Sequence, residues 1–127
     1  MAQPSRPAPR GSRPSNAAQP VRLALAPGVL GAICLLAGLA AVGDPSGTWF
    51  TIIRFAVAII AVIMCVFAWQ GASLRWLWIP LLAAIAVVWN PAWPFAIDDA
   101  VLRILHILAA AAFLAAGLFI RVLQPAR

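Results

Sequence analysis

Asp99, Arg103 and His106 stand at i, i+4 and i+7, a spacing that gathers three polar side chains on one face of a helix. On that face Asp99 is placed to pair with Arg103. His106, with an unperturbed pKa near ~6.5, is the residue type that relays protons or senses pH. Three more polar residues belong with them by position. Arg54 lies five residues inside a long apolar stretch, Asn90 interrupts another, and Asp98 adjoins Asp99. Arg54 then meets an acid from the neighbouring loops, Asp98 or Asp99 first and Asp44 next, with Asn90 capping broken backbone beside them. The candidate cluster is therefore Arg54, Asn90, Asp98, Asp99, Arg103 and His106. Two kinds of chemistry suit it. One is structural, with arginines reaching toward the interface or joined in an ion-pair network. The other is a pocket for an anionic or polar ligand.

Other chemistries lack their residues. The chain has one His and no Glu, which removes an HExxH zinc site, a pair of catalytic glutamates and a bis-His haem. Cys34 and Cys65 each sit within apolar sequence, without CxxC or Cys/His spacing, and read as small apolar residues. Ser73 has no His on its side of the chain. The expectation is a protein that is not an enzyme and carries no cofactor and no metal.

The elements that position the cluster follow from composition. Of 127 residues, 65% are hydrophobic and 9% charged, against about 25% charged in soluble domains. Residues 1–22 are rich in Pro, Ser, Gly and Arg with no apolar period, and read as a disordered tail whose first 20 residues are dispensable for folding. Residues 23–123 form one domain of four membrane helices, at about 23–42, 49–69, 76–90 and 99–122, followed by a short tail at 124–127. The fold class is all-α, a four-transmembrane-helix bundle. Ala24, Gly28 and Ala32 recur at every fourth position of the first helix, the small-residue spacing that lets helices approach closely. The Gly43-Asp44-Pro45-Ser46-Gly47 turn ends that helix, and Pro125 ends the last. The third span is anomalous. From Trp76 it loses apolar character at Trp89-Asn90-Pro91, a length of about 21 Å against a hydrocarbon core of about 30 Å. Either it continues through Asn90-Pro91 with a kink, or irregular chain up to Ile97 completes the crossing. Asp98 or Asp99 caps the fourth helix.

Charge sets the orientation. The chain has 9 basic residues, all Arg, and 3 acidic residues, all Asp. Arg6, Arg10, Arg13, Arg22, Arg75, Arg121 and Arg127 fall on one side of four spans, while Asp44, Asp98 and Asp99 fall on the other. By the positive-inside rule both termini are cytoplasmic. The basicity thus follows topology rather than nucleic-acid binding. Trp69, Trp76 and Trp78 mark the inner interface and Trp49, Trp89 and Trp93 the outer one.

Thr51-Ile52-Ile53-Arg54-Phe55, followed by Trp89-Asn90-Pro91-Ala92-Trp93-Pro94, resembles a family of small bacterial four-helix integral membrane proteins of unknown function. The resemblance covers residues 23–122 and rests on Arg54 near the start of the second helix and on Asn90, Pro91 and Pro94 after the third. It implies a four-helix membrane fold and no particular activity. That family carries an acidic residue inside its fourth helix, and His106 stands at what looks like that position, a departure that bears on any ion pair with Arg54. The function expected is a non-enzymatic accessory or structural component of the bacterial cytoplasmic membrane. It would work in the lipid bilayer by packing against a membrane-protein partner or against copies of itself. The alternative is a homo-oligomeric small-molecule or ion transporter with its site near the broken third helix.

Overall fold

A computed structural model of the chain describes residues 2, 11, 19–44, 47–71, 73–92 and 96–124. Four α-helices account for most of them: α1 Leu25–Gly38, α2 Thr48–Gly71, α3 Arg75–Val88 and α4 Asp99–Phe119. Two short strands, β1 Gln19–Val21 and β2 Val122–Gln124, flank the helices in sequence.

Several helix ends have a local cause. Pro27 lies in the first turn of α1, where its missing N–H is one that no helical carbonyl would have received. The first helical bond follows at once, Gly28 N to Ala24 O at 2.9 Å. α1 tightens into a 3-10 turn at Leu39–Ala41 and stops as Gly43 takes φ 109°, a left-handed conformation open to glycine at no steric cost. α3 begins at Arg75 and stops at Val88. Pro80 inside it withholds a donor from the Trp76 carbonyl. Asp98 is the N-cap of α4, its carboxylate accepting from Ala100 N at 2.9 Å, while Asp99 adds negative charge to the first turn.

The buried positions recur at helical spacing. They are Phe50, Ile53, Val57, Ile60, Ala61, Met64 and Ala68 on α2 and His106, Ala109, Ala110, Phe113, Ala116 and Gly117 on α4. α1 packs against both α4 and α2, and α2 against α3, whereas α3 and α4 meet at few points. The helices therefore run in the spatial order α4, α1, α2, α3 and leave a seam between the last and the first. The α1/α4 contact is close enough for backbones to touch. A β-carbon built on Gly28 falls 2.7 Å from the Phe113 carbonyl oxygen and 3.0 Å from Gly117 Cα. Ala24 and Ala32 share this buried face at 0% and 3% exposure, so the small-residue repeat of the first helix is an interface.

Three expectations need correction. The N-terminal tail is not irregular up to residue 22, since Gln19–Val21 pairs antiparallel with Val122–Gln124, with Val21 opposite Val122. The remainder of the tail lies almost wholly outside the described residues. The fourth helix does not reach Val122. Ile120 is already extended, and the chain leaves the helix where Val122 gains a strand partner. This β-branched segment trades two helical bonds for a ladder. Thirdly, not every tryptophan faces outward as an anchor would. Trp49, Trp69 and Trp76 are well exposed, but Trp78 stacks on Phe119 at 6.3 Å and Trp89 is buried. Trp93, Pro94 and Pro125 lie outside the described residues.

α2 and α4 are each long and apolar enough to cross a membrane, while α3 and α1 with its terminal turn are shorter apolar helices. Large apolar side chains face outward along all four: Leu30 and Ile33 on α1, Ile59 and Val66 on α2, Leu77 and Val87 on α3, Ile107 and Leu108 on α4.

Candidate functional site

The site originates in the shortness of α3. A helix that stops leaves its last carbonyls without helical donors, and here α3 stops beside the early part of α2. Arg54 answers this, with Nη2 donating to the Val88 carbonyl at 3.1 Å. Six residues separate Arg54 from the first residue of α2, which sets the bond about 9 Å down the helix at a rise of ~1.5 Å per residue. One turn earlier on the same helix, the Phe50 ring lies 5.6 Å from the guanidinium carbon, within cation–π range.

The early stop opens a notch of about 420 Å³ at this end of the bundle. Arg54, Phe50, Val88 and Trp89 form its inner wall, and Asp98 and Asp99 stand on its rim where the chain turns into α4. Positive and negative groups thus share one cavity. They do not share an ion pair, because neither Asp98 nor Asp99 bonds to Arg54. Asp98 is committed to the Ala100 amide, and Arg54 has a nearer acceptor in Val88. The expected pairing of Arg54 with an acid is replaced by a side chain closing a helix terminus.

Below the notch, His106 is completely buried. Its Nδ1 lies 2.8 Å from the Leu102 carbonyl oxygen. Because a carbonyl only accepts, Nδ1 in the neutral ring carries the proton and Nε2 is left as an acceptor. Trp89 meets the His106 ring edge-on at 5.2 Å, and Phe50 stacks on it at 6.2 Å. Gly38 makes the space, since a β-carbon there would sit 2.9 Å from His106 Nε2. His106 Nε2 and the Trp89 indole nitrogen are both buried with no hydrogen-bond partner among the described residues.

The predicted cluster is therefore divided. Arg54, Asp98 and Asp99 line the notch, and His106 packs beneath it against Trp89. Arg103 is exposed and makes no ion pair with Asp99 among the described residues. It and His106 are three residues apart, which on a helix is about 60° of rotation, enough to bring one to the surface and the other into the core. Asn90 does cap broken backbone, its side-chain oxygen accepting from Ala92 N at 2.9 Å in an Asx turn. However, it lies on a separate apolar groove with Phe55, Ile59 and Val87. Phe50, Val88 and Trp89 belong to the site and carry no sequence signal beyond the helix break at Trp89-Asn90-Pro91.

No curated protein and no solved structure matches the chain. The family described as "Family of unknown function (DUF6804)" matches residues 25–118, from the first residue of α1 almost to the end of α4, and the chain belongs to that family.

Proposed function

We propose that this is a small multi-pass integral membrane protein of a bacterial cytoplasmic membrane. In this reading all four helices enter the bilayer, both termini are cytoplasmic, and the protein is a non-enzymatic accessory or structural component that packs against a membrane partner or a second copy. The outward apolar side chains on every helix carry the reading. A water-soluble monomer rarely exposes contiguous apolar surface beyond a few hundred Å², whereas lipid is the solvent such surfaces suit. The pairing of β1 with β2 supports an even number of crossings, because it brings both ends of the helical domain together. In sequence order, the seven arginines other than Arg54 and Arg103 would fall on that side of four crossings.

The short α3 fits the same picture. Irregular backbone at membrane depth is tolerated where protein shields it or a wet cavity meets it; Arg54 on Val88 and the notch supply both. A transporter would use the notch as its entrance, but Leu82, Met64, Val57 and Phe113 below it are all at 0% exposure. This packed core favours the accessory reading.

Cysteine labelling tests the topology, in a chain whose Cys34 and Cys65 are replaced by alanine. Ser46→Cys is expected to react with an impermeant maleimide added outside intact cells, and Ser73→Cys only after lysis. The reverse pattern, or labelling of both from outside, would sink the four-span arrangement.

A further inference from the structure

A second cavity adjoins the notch. Val88 and Trp89, which line the notch, also line this cavity of about 250 Å³ in the seam between α3 and α4. The wall of this second cavity is entirely apolar, with Leu81 and Ile85 on α3 and Leu105, Leu108 and Ala112 on α4. A notch bearing one guanidinium and two carboxylates thus adjoins an apolar furrow across Val88 and Trp89. From Leu81 to Trp89 the furrow runs eight residues of α3, about 12 Å at ~1.5 Å per residue. Half of a hydrocarbon core is about 15 Å, so the furrow covers most of one leaflet.

We propose that the notch and the α3/α4 seam together bind one phospholipid with a zwitterionic amino headgroup, of the phosphatidylethanolamine class. Its phosphate lies against Arg54, its ammonium against Asp98 and Asp99, and one acyl chain lies in the seam. This rests on the membrane reading above and adds a ligand to it.

Charge selects the headgroup. Arg54 has five N–H donors and uses one on Val88, leaving the others for phosphate oxygens in charge-assisted bonds. An anionic lipid such as phosphatidylglycerol would satisfy Arg54 through its phosphate but offers only an uncharged glycerol head to the two carboxylates, leaving them without a cation. A zwitterion answers both signs. The acyl chain contributes shape more than affinity, because lipid tails outside the protein are as apolar as the Leu and Ile of the seam. Preference among lipids must therefore come from the head.

Native mass spectrometry of the full-length protein in a maltoside detergent tests this, with phosphatidylethanolamine and phosphatidylglycerol of identical chains added in turn. The wild type is expected to retain the ethanolamine lipid about ten-fold more strongly, the factor expected from one charge-assisted contact. Asp99→Asn should bring the two lipids within about three-fold, as half of the charge pattern is lost. Ala112→Phe, which fills the seam while leaving every polar group in place, should abolish the one-to-one adduct. Arg54→Gln should lose it as well. If that variant does not fold, Asp99→Asn and Ala112→Phe decide the question, their folding checked by helical circular dichroism. Equal retention of both lipids by the wild type would overturn the proposal, as would adducts unchanged in Asp99→Asn and Ala112→Phe. Equal binding of chainless glycerophosphoethanolamine would also overturn it by removing the acyl chain's part. A stoichiometric membrane protein that occupies the seam and excludes lipid would do the same. None of these outcomes bears on the labelling pattern at Ser46 and Ser73, so the membrane reading stands or falls separately.

Discussion

Arg54 shows how a charged residue inside an apolar helix can be structural without an acidic partner. Its guanidinium closes the end of α3 by bonding Val88, a role that sequence spacing does not disclose, because Val88 is one apolar residue among many. Arg54→Ala would leave that carbonyl short of a donor and widen the notch. The expected loss is about 0.5–1.5 kcal/mol, the net contribution of a part-buried hydrogen bond, read by unfolding in detergent. Asp98 and Asp99 make no bond to Arg54, so double-mutant cycles of Arg54→Ala with Asp98→Ala and Asp99→Ala should give coupling within about 0.5 kcal/mol of zero. Coupling above about 1.5 kcal/mol would restore the ion pair and remove the helix-closing account. His106 was legible as unusual but not as buried. Its environment is made by Gly38, Phe50 and Trp89, which come from three other helical segments. Gly38→Ala should push on the imidazole and cost about 1–3 kcal/mol, as overpacking a filled core does.

Among the elements, the α1/α4 pair has the tightest constraint. Gly28 and Gly117 let two backbones touch, and a methyl on Gly28 would sit 2.7 Å from the Phe113 carbonyl oxygen, a backbone atom with little freedom to yield. Gly28→Ala is expected to lower the midpoint of thermal unfolding, with a cost of about 1–3 kcal/mol. Val29→Ala one position along, on the exposed side, should stay within about 0.5 kcal/mol of wild type. Equal effects of the two substitutions would mean that the helices are not held at this distance. The Ala24, Gly28 and Ala32 repeat announced this face in the sequence, since close helix contact needs small residues at every fourth position. The small residues of the fourth helix also suit tight packing, but the sequence does not say that these two helices are the ones that meet. α4 offers small residues at Ala109, Ala110, Ala116 and Gly117, but so Ala-rich a chain has similar runs elsewhere.

For the molecule as a whole, the two ends of the helical domain are tied together. Gln19–Val21 and Val122–Gln124 form a two-stranded pairing where sequence composition indicated an unstructured tail and a continuing helix. Deleting residues 2–18 should therefore leave the thermal midpoint in detergent unchanged, whereas deleting residues 2–22 should lower it. If both deletions behave alike, the pairing contributes nothing to stability. Short two-stranded ribbons are marginal by themselves, and this one gains from contact with the C-terminal end of α2. A side chain on Gly71 there would run into the backbone of Arg121 and Val122.

The sequence by itself determined four apolar helices, the turns between them, the cap on α4, the small-residue face of α1 and the break after α3. Each of these depends on residues near one another in the chain: apolar runs, Gly and Pro punctuation, a carboxylate beside the amides it caps. Tertiary structure alone decided which polar residues meet. Arg54 turned to a backbone carbonyl rather than to Asp98 or Asp99, Arg103 parted from His106 across about 60° of one helix, and Trp89 turned inward against His106. The physical reason is that a guanidinium or an indole accepts many partners of similar chemistry. The choice among them is set by where helices end and how closely they pack, and those distances are properties of the assembled bundle.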